Sequence, residues 1–164
     1  MTAAVEQAYQ DKIAELEAVS GEALAWVQIK CGTGENILVV TSSVYGDGET
    51  MEADIFQYAD GEVKRIGSVS STGTAYPLAF TEEAVLFGGN HTAGKLVIQQ
   101  GTGELYRLTN LNIEGRTPVL EVYAVEGGEE TLMSSEEIPV SEADSYDYYI
   151  NAFAEEKAEI IVFQ

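Results

Sequence analysis

The glycines constrain this chain most. From Ala23 to about Leu132, apolar runs rich in β-branched residues alternate with glycine-centred turn signals. The runs are Ala23–Cys31, Ile37–Tyr45, Met51–Tyr58, Val63–Ser70, Val85–Phe87, Leu96–Gln100, Leu105–Ile113 and Val119–Val125. Between them stand Gly32-Thr33-Gly34, Asp47-Gly48, Asp60-Gly61, Gly88-Gly89, Gly101-Thr102-Gly103 and Gly127-Gly128. Such spacing reads as hairpins following one another. Asp60-Gly61 is the sharpest signal, because Asp-Gly accepts the positive backbone angles of a two-residue hairpin turn. With 16 glycines and only 3 prolines, the turns depend on glycine.

Two of these hairpins resemble each other. Gln57, Gly61, Glu62 and Arg65 recur as Gln99, Gly103, Glu104 and Arg107 at a common offset of 42 residues. Gly32-Thr33-Gly34-Glu35 recurs as Gly101-Thr102-Gly103-Glu104. A β region of this length is too short for a propeller, which needs about four blades of ~40–45 residues. The repeats describe a meander.

Helices flank the strands. Val5, Tyr9, Ile13 and Leu16 form an apolar stripe that predicts a helix over about 3–20, stopped by Gly21. A second helix is expected over about 142–158. Ser141 would cap it, with Glu142 and Asp144 in its first turn and Tyr146, Tyr149, Ile150, Phe153 and Ala154 on one face. Ile160–Phe163 reads as a short closing strand. The expected fold is therefore one α+β domain over residues 1–164: an antiparallel meander sheet of about eight strands, with both helices packed on it. The sheet needs that cover, because Ile37–Val40 is apolar on both faces.

Charge narrows the function. Eight Lys and Arg stand against 28 Asp and Glu, for a net charge of −20. The basic residues are scattered, and none lies between Arg116 and Lys157. Nucleic acids and anionic membranes select for clustered Lys and Arg, so both are poor partners. No stretch approaches a membrane span, and the N-terminus carries no basic region followed by an apolar one. Cys31 is the single cysteine, so neither an intramolecular disulfide nor a thiolate metal cluster can form.

Few motifs suggest chemistry. Gly89-Asn90-His91-Thr92-Ala93-Gly94-Lys95 matches the start of a phosphate loop, but Leu96 stands where Ser or Thr would hold magnesium, and a strand follows instead of a helix. It reads as a flexible hairpin loop. His91 is the only histidine, which excludes a multi-histidine metal site. Glu82-Glu83, Glu129-Glu130, Glu136-Glu137 and Glu155-Glu156 are carboxylate doublets, yet adjacent strand residues face opposite ways. Calcium is the one cofactor left open, with Asp47 and Glu49, or Asp60 and Glu62, as its oxygen donors.

The order of Trp26–Cys31, Gly32-Thr33-Gly34-Glu35 and Ile37–Val40, followed by Phe56-Gln57-Tyr58-Ala59-Asp60-Gly61-Glu62-Val63 and Ile138-Pro139-Val140-Ser141-Glu142, resembles secreted or lipid-anchored β-rich proteins of Gram-positive gut bacteria whose function is uncharacterised. Their first turn often reads Asp-x-Asp-Gly-Asp-Gly. Here Lys30, Cys31 and Thr33 occupy the places of the aspartates, so no metal site carries over. The resemblance implies an extracellular or cell-envelope location; a cytoplasmic one is the alternative. The leading expectation is a non-enzymatic binding or accessory domain for a protein or glycan partner. A glycan would stack on Tyr45, Tyr58, Tyr76 and Tyr106. The alternatives are an acidic calcium-binding module and a hydrolase using a carboxylate pair.

Overall fold

Helix α1 spans Ala3–Ser20. The Thr2 side chain accepts the Val5 N–H at its start. Gly21, with φ of 72°, closes it by donating its N–H to the Glu17 carbonyl. Strands β1 (Ala25–Ile29), β2 (Ile37–Thr41), β3 (Glu52–Ala59) and β4 (Glu62–Ser70) follow as an antiparallel meander. A second meander comprises β5 (Ala79–Phe80), β6 (Ala84–Gly88), β7 (Thr92–Ile98), β8 (Gly103–Thr109), β9 (Val119–Glu126) and β10 (Glu129–Glu137). Strand β11 (Glu159–Ile160) pairs with β5, giving a seven-stranded sheet in the order β10-β9-β8-β7-β6-β5-β11. This computed structural model describes residues 2–138 and 158–164.

The expected single sheet of about eight strands is corrected to two stacked sheets of four and seven strands. The reason is cover. Every residue of β2 and of β6 is buried, so each needs a layer on both faces. For β2, helix α1 covers one face and the second sheet the other; for β6, the four-stranded sheet covers one face and Leu111, Ile138 and Ala158 pack toward the other. The largest core lies between the sheets, where Ile37, Val39, Ile55 and Ile66 meet Val85, Phe87, Leu96 and Leu105. On the outer face of the four-stranded sheet, Val5, Tyr9 and Ile13 of α1 pack on Leu38, Val40 and Phe56. On the outer face of the seven-stranded sheet, Ala79, Leu86, Ala93, Leu108 and Leu111 form a third cluster, against which Ile138 and Ala158 pack. The expected helix over 142–158 falls outside the described residues except for Ala158.

The crossing between the sheets, residues 71–78, is bonded to both. Leu78 donates its N–H to the Thr50 carbonyl at 2.9 Å, and Thr72 to the Gly88 carbonyl at 2.8 Å. The last residues tie the same seam. Ile161 donates to the Leu78 carbonyl and Phe163 to the Gly48 carbonyl, and both side chains are buried in the inter-sheet core.

Gln57 explains the repeated Gly-Thr-Gly turns. Its wholly buried amide donates from Nε2 to the Thr33 carbonyl at 2.7 Å and accepts the Gly101 N–H on Oε1 at 2.8 Å. One side chain thus joins a turn of each sheet. A Cβ at Gly32 would collide with Ile98, so the turns also meet through bare backbone.

The loop expected at Gly89–Lys95 is a tight turn. Strand β7 begins at Thr92, and Gly89 donates to the Thr92 carbonyl at 2.8 Å. Gly94 lies under the Phe87 ring, where any side chain would clash. Strand β8 ends at Thr109, short of the expected Ile113, because Asn110 and Asn112 have φ of 66° and 55° and leave the ladder.

Candidate functional site

The four candidate tyrosines lie on separate elements. Tyr76 is buried, with its hydroxyl 3.3 Å from Asn90 Oδ1. Tyr58 is half-buried beside the α1 cluster, and its backbone N–H donates to the Tyr9 hydroxyl at 2.9 Å. Tyr45 is half-buried in the β2–β3 connection and donates to the Thr74 carbonyl at 3.4 Å. Burial, and then the nearby Glu49 carboxylate, raise its pKa. Tyr106 on β8 donates to Glu104, and Lys95 Nζ stands 5.0 Å from its ring centroid.

The candidate metal donors fall into two turns. Asp47 is exposed, and half-buried Glu49 bridges back to Tyr45 through the backbone. Asp60 holds Lys64 Nζ at 3.1 Å, and Glu62 is exposed at the start of β4. Among the described residues, no three His, Cys, Asp or Glu side chains gather closely enough to hold a metal ion. His91 is exposed, with Nδ1 3.0 Å from the Leu111 carbonyl oxygen. Cys31 is buried in the inter-sheet core. Burial, reinforced by the Glu83 charge, pushes its thiol up to about 12, so it is a poor nucleophile.

A second tyrosine arrangement repeats that of Tyr106. Tyr123 on β9 donates to Glu121 at 3.0 Å, and the Arg107 guanidinium lies 5.3 Å from its ring centroid. Arg107 also reaches Glu130 at 3.8 Å. The signal was present in the sequence as Glu104-Leu105-Tyr106 and Glu121-Val122-Tyr123, since strand residues two apart share a face.

The more distinctive surface is a groove that residue patterns did not indicate. Helix α1 covers the four-stranded sheet only in part. Beyond its contacts with Phe56 and Leu38, a concavity of about 650 Å³ opens between the C-terminal half of the helix and strands β2–β4. Leu16, Leu24 and Val40 give it an apolar floor, and Val19, 84% exposed, stands on its rim. Glu15, Glu52 and Asp54 supply carboxylates, while Ser68 and Ser70 line the β4 side. Asp54 receives Arg65 Nη2 at 3.1 Å, and Ser68 bonds to both partners. A β-bulge between the Ile55 and Phe56 pairings lets Ile66 and Gly67 both turn inward while Ser68 stays out.

A larger concavity, about 950 Å³, lies where the edge strand β1 faces Phe80, Thr81 and Glu82. Lys30 and Glu82 give it mixed charge, and Glu159 of β11 completes its wall. Among the described residues, no helix is long and apolar enough to cross a membrane. Compared with family models, curated proteins and solved structures, the chain gives no match.

Proposed function

We propose that this chain is a non-enzymatic, extracytoplasmic binding module that seats a segment of a protein partner in the groove between α1 and β2–β4. The observation that carries the reading is Val19, a large apolar side chain left 84% exposed beside an apolar floor. The groove volume lies within the range of ligand sites, roughly 300–1,000 Å³. Scattered polar groups at its rim suit orientation of a ligand more than bond chemistry. A glycan is the less favoured partner, because the four candidate tyrosines stand on separate elements.

The test is a pair of titrations followed by amide chemical shifts. One uses soluble cell-wall glycan fragments, the other a set of synthetic amphipathic peptides. Peptide-induced shifts concentrated on Val19, Leu24, Val40 and Ser68 are expected. Shifts confined to glycan addition around Tyr45, Tyr58, Tyr76 and Tyr106, or no shifts with either, would overturn the reading.

A further inference from the structure

We infer that the seam holding β11 is a strand-acceptor slot, and that it takes residues 159–163 from a second copy of this chain as well as from its own. The inference is independent of the α1 groove. Its first support is the pattern of the strand. Ile161 and Phe163 are buried in the inter-sheet core, while Ile160 and Val162 stand 36% and 45% exposed. That alternation is a strand laid with one face in a slot. Glu159 pairs with Phe80 and Ile160 with Ala79. The hold then passes to the Leu78 carbonyl, which accepts the Ile161 N–H at 2.9 Å, and to the Gly48 carbonyl, which accepts the Phe163 N–H at 2.7 Å.

The second support is that the slot is shaped for this backbone. Gly48 has φ of 97°, and a Cβ there would collide with the Phe163 carbonyl. Leu78 is wholly buried in the same cluster as Ile161 and Phe163, and its N–H donates to the Thr50 carbonyl. That bond ties the two walls of the slot to each other without using the strand. The third support is where the strand is held. Among the described residues, the backbone partners of 159–163 are residues 48 and 78–80, and none lies in the stretch that tethers the strand. The same contacts therefore form whichever copy supplies it, which is the condition for exchange of an identical element between protomers. Two terms oppose exchange. A tethered strand competes at an effective concentration on the order of millimolar. Each copy also carries a net charge of −20, which salt screens. Exchange therefore belongs to high protein concentration and high salt.

Two full-length variants test this. Ile161→Ser with Phe163→Ser leaves a slot with no matching strand. Gly48→Val blocks the slot and leaves the strand intact. Each alone is expected to stay monomeric by light scattering. Refolded together at about 1 mM in high salt, they are expected to form a dimer holding one copy of each. A mixture that stays monomeric, or dimers of either variant by itself, would overturn the exchange. A synthetic peptide of residues 158–164 serves where a variant does not fold alone. At a hundredfold excess over its Kd it is expected to raise the melting midpoint of the Ile161→Ser, Phe163→Ser variant by about 5–10 °C, or to restore a cooperative melt where there was none. No effect, or an equal effect from the peptide with Ser at both positions, would overturn the slot itself.

Discussion

Strands β2 and β10 stand at opposite extremes of one antiparallel architecture. Every residue of β2 is buried, and every residue of β10 is exposed. Strand β2 is laddered on both sides, to β1 and β3, whereas β10 is an edge strand laddered to β9 alone, with Met133 bulged out of the register. Both pairings are antiparallel, and the two strands differ in their number of neighbours and in what covers each face. Strand β2 has α1 on one side and the second sheet on the other, so Ile37–Val40 is a continuous apolar run. Strand β10 extends the wider sheet beyond its cover, so Glu129, Glu130, Glu136 and Glu137 flank Leu132 and Met133, which are 52% and 63% exposed. Acidic ends and the bulge at Leu132–Ser134 discourage edge-to-edge pairing with other chains.

The comparison is broken most sharply by truncation. Leu38→Ala should cost about 2–5 kcal/mol in a urea melt, since a cavity opens between α1 and β2. Equal stability of the variant and the parent would mean that α1 does not cover β2. The clamp comes next. Gln57→Leu leaves the Thr33 carbonyl and the Gly101 N–H without their partner, and should cost about 2 kcal/mol. A neutral outcome would show the two turns to be held by packing alone.

The third prediction uses pH. The Cys31 thiol has an ordinary value of 9.0 and is pushed up to about 12 in the fold. Below the lower value it is protonated whether folded or not, and its contribution is fully present. Through the window from 9.0 to about 12 the unfolded thiol ionises first, so stability falls as pH rises. Cys31→Ala should flatten that alkaline decline without abolishing it, because burial also raises the Tyr9 hydroxyl. Urea midpoints across that range read the slope, and an unchanged slope would refute the contribution. The smallest effect belongs to β10. Met133→Ser should shift stability by no more than about 0.5 kcal/mol. A larger loss would mean that β10 is covered in solution.

What was legible in the sequence follows the same division. Helix α1 and its Gly21 cap lie where the apolar stripe put them. The Asp60-Gly61 turn was equally plain, and φ values of 53° and 82° show why that pair is needed. Strand β10 is absent from the expected runs, the last of which is Val119–Val125, because a strand advertises itself by one buried face and β10 has none. Strand β5 is two residues long, too short to carry a period. The division into two sheets was hidden because hydrogen-bond partners of residues 71–78 are chosen by tertiary packing, not by any local pattern. The groove was illegible for a related reason. It is defined by where α1 stops short, and Leu16 and Leu24 look like any other core residues in the sequence.

The closing strand has a consequence for how the molecule is made. Strands β1–β4 form one sheet from consecutive chain, and β5–β10 nearly complete the other. Ile161 and Phe163, however, enter the core between them from the far end of the chain. On a ribosome, where synthesis runs from the N-terminus at about 5–20 residues per second, both sheets can assemble while the seam between them still lacks two buried side chains. Until residues 159–163 have left the exit tunnel, the seam between the sheets lacks two of its buried side chains and the core stands open.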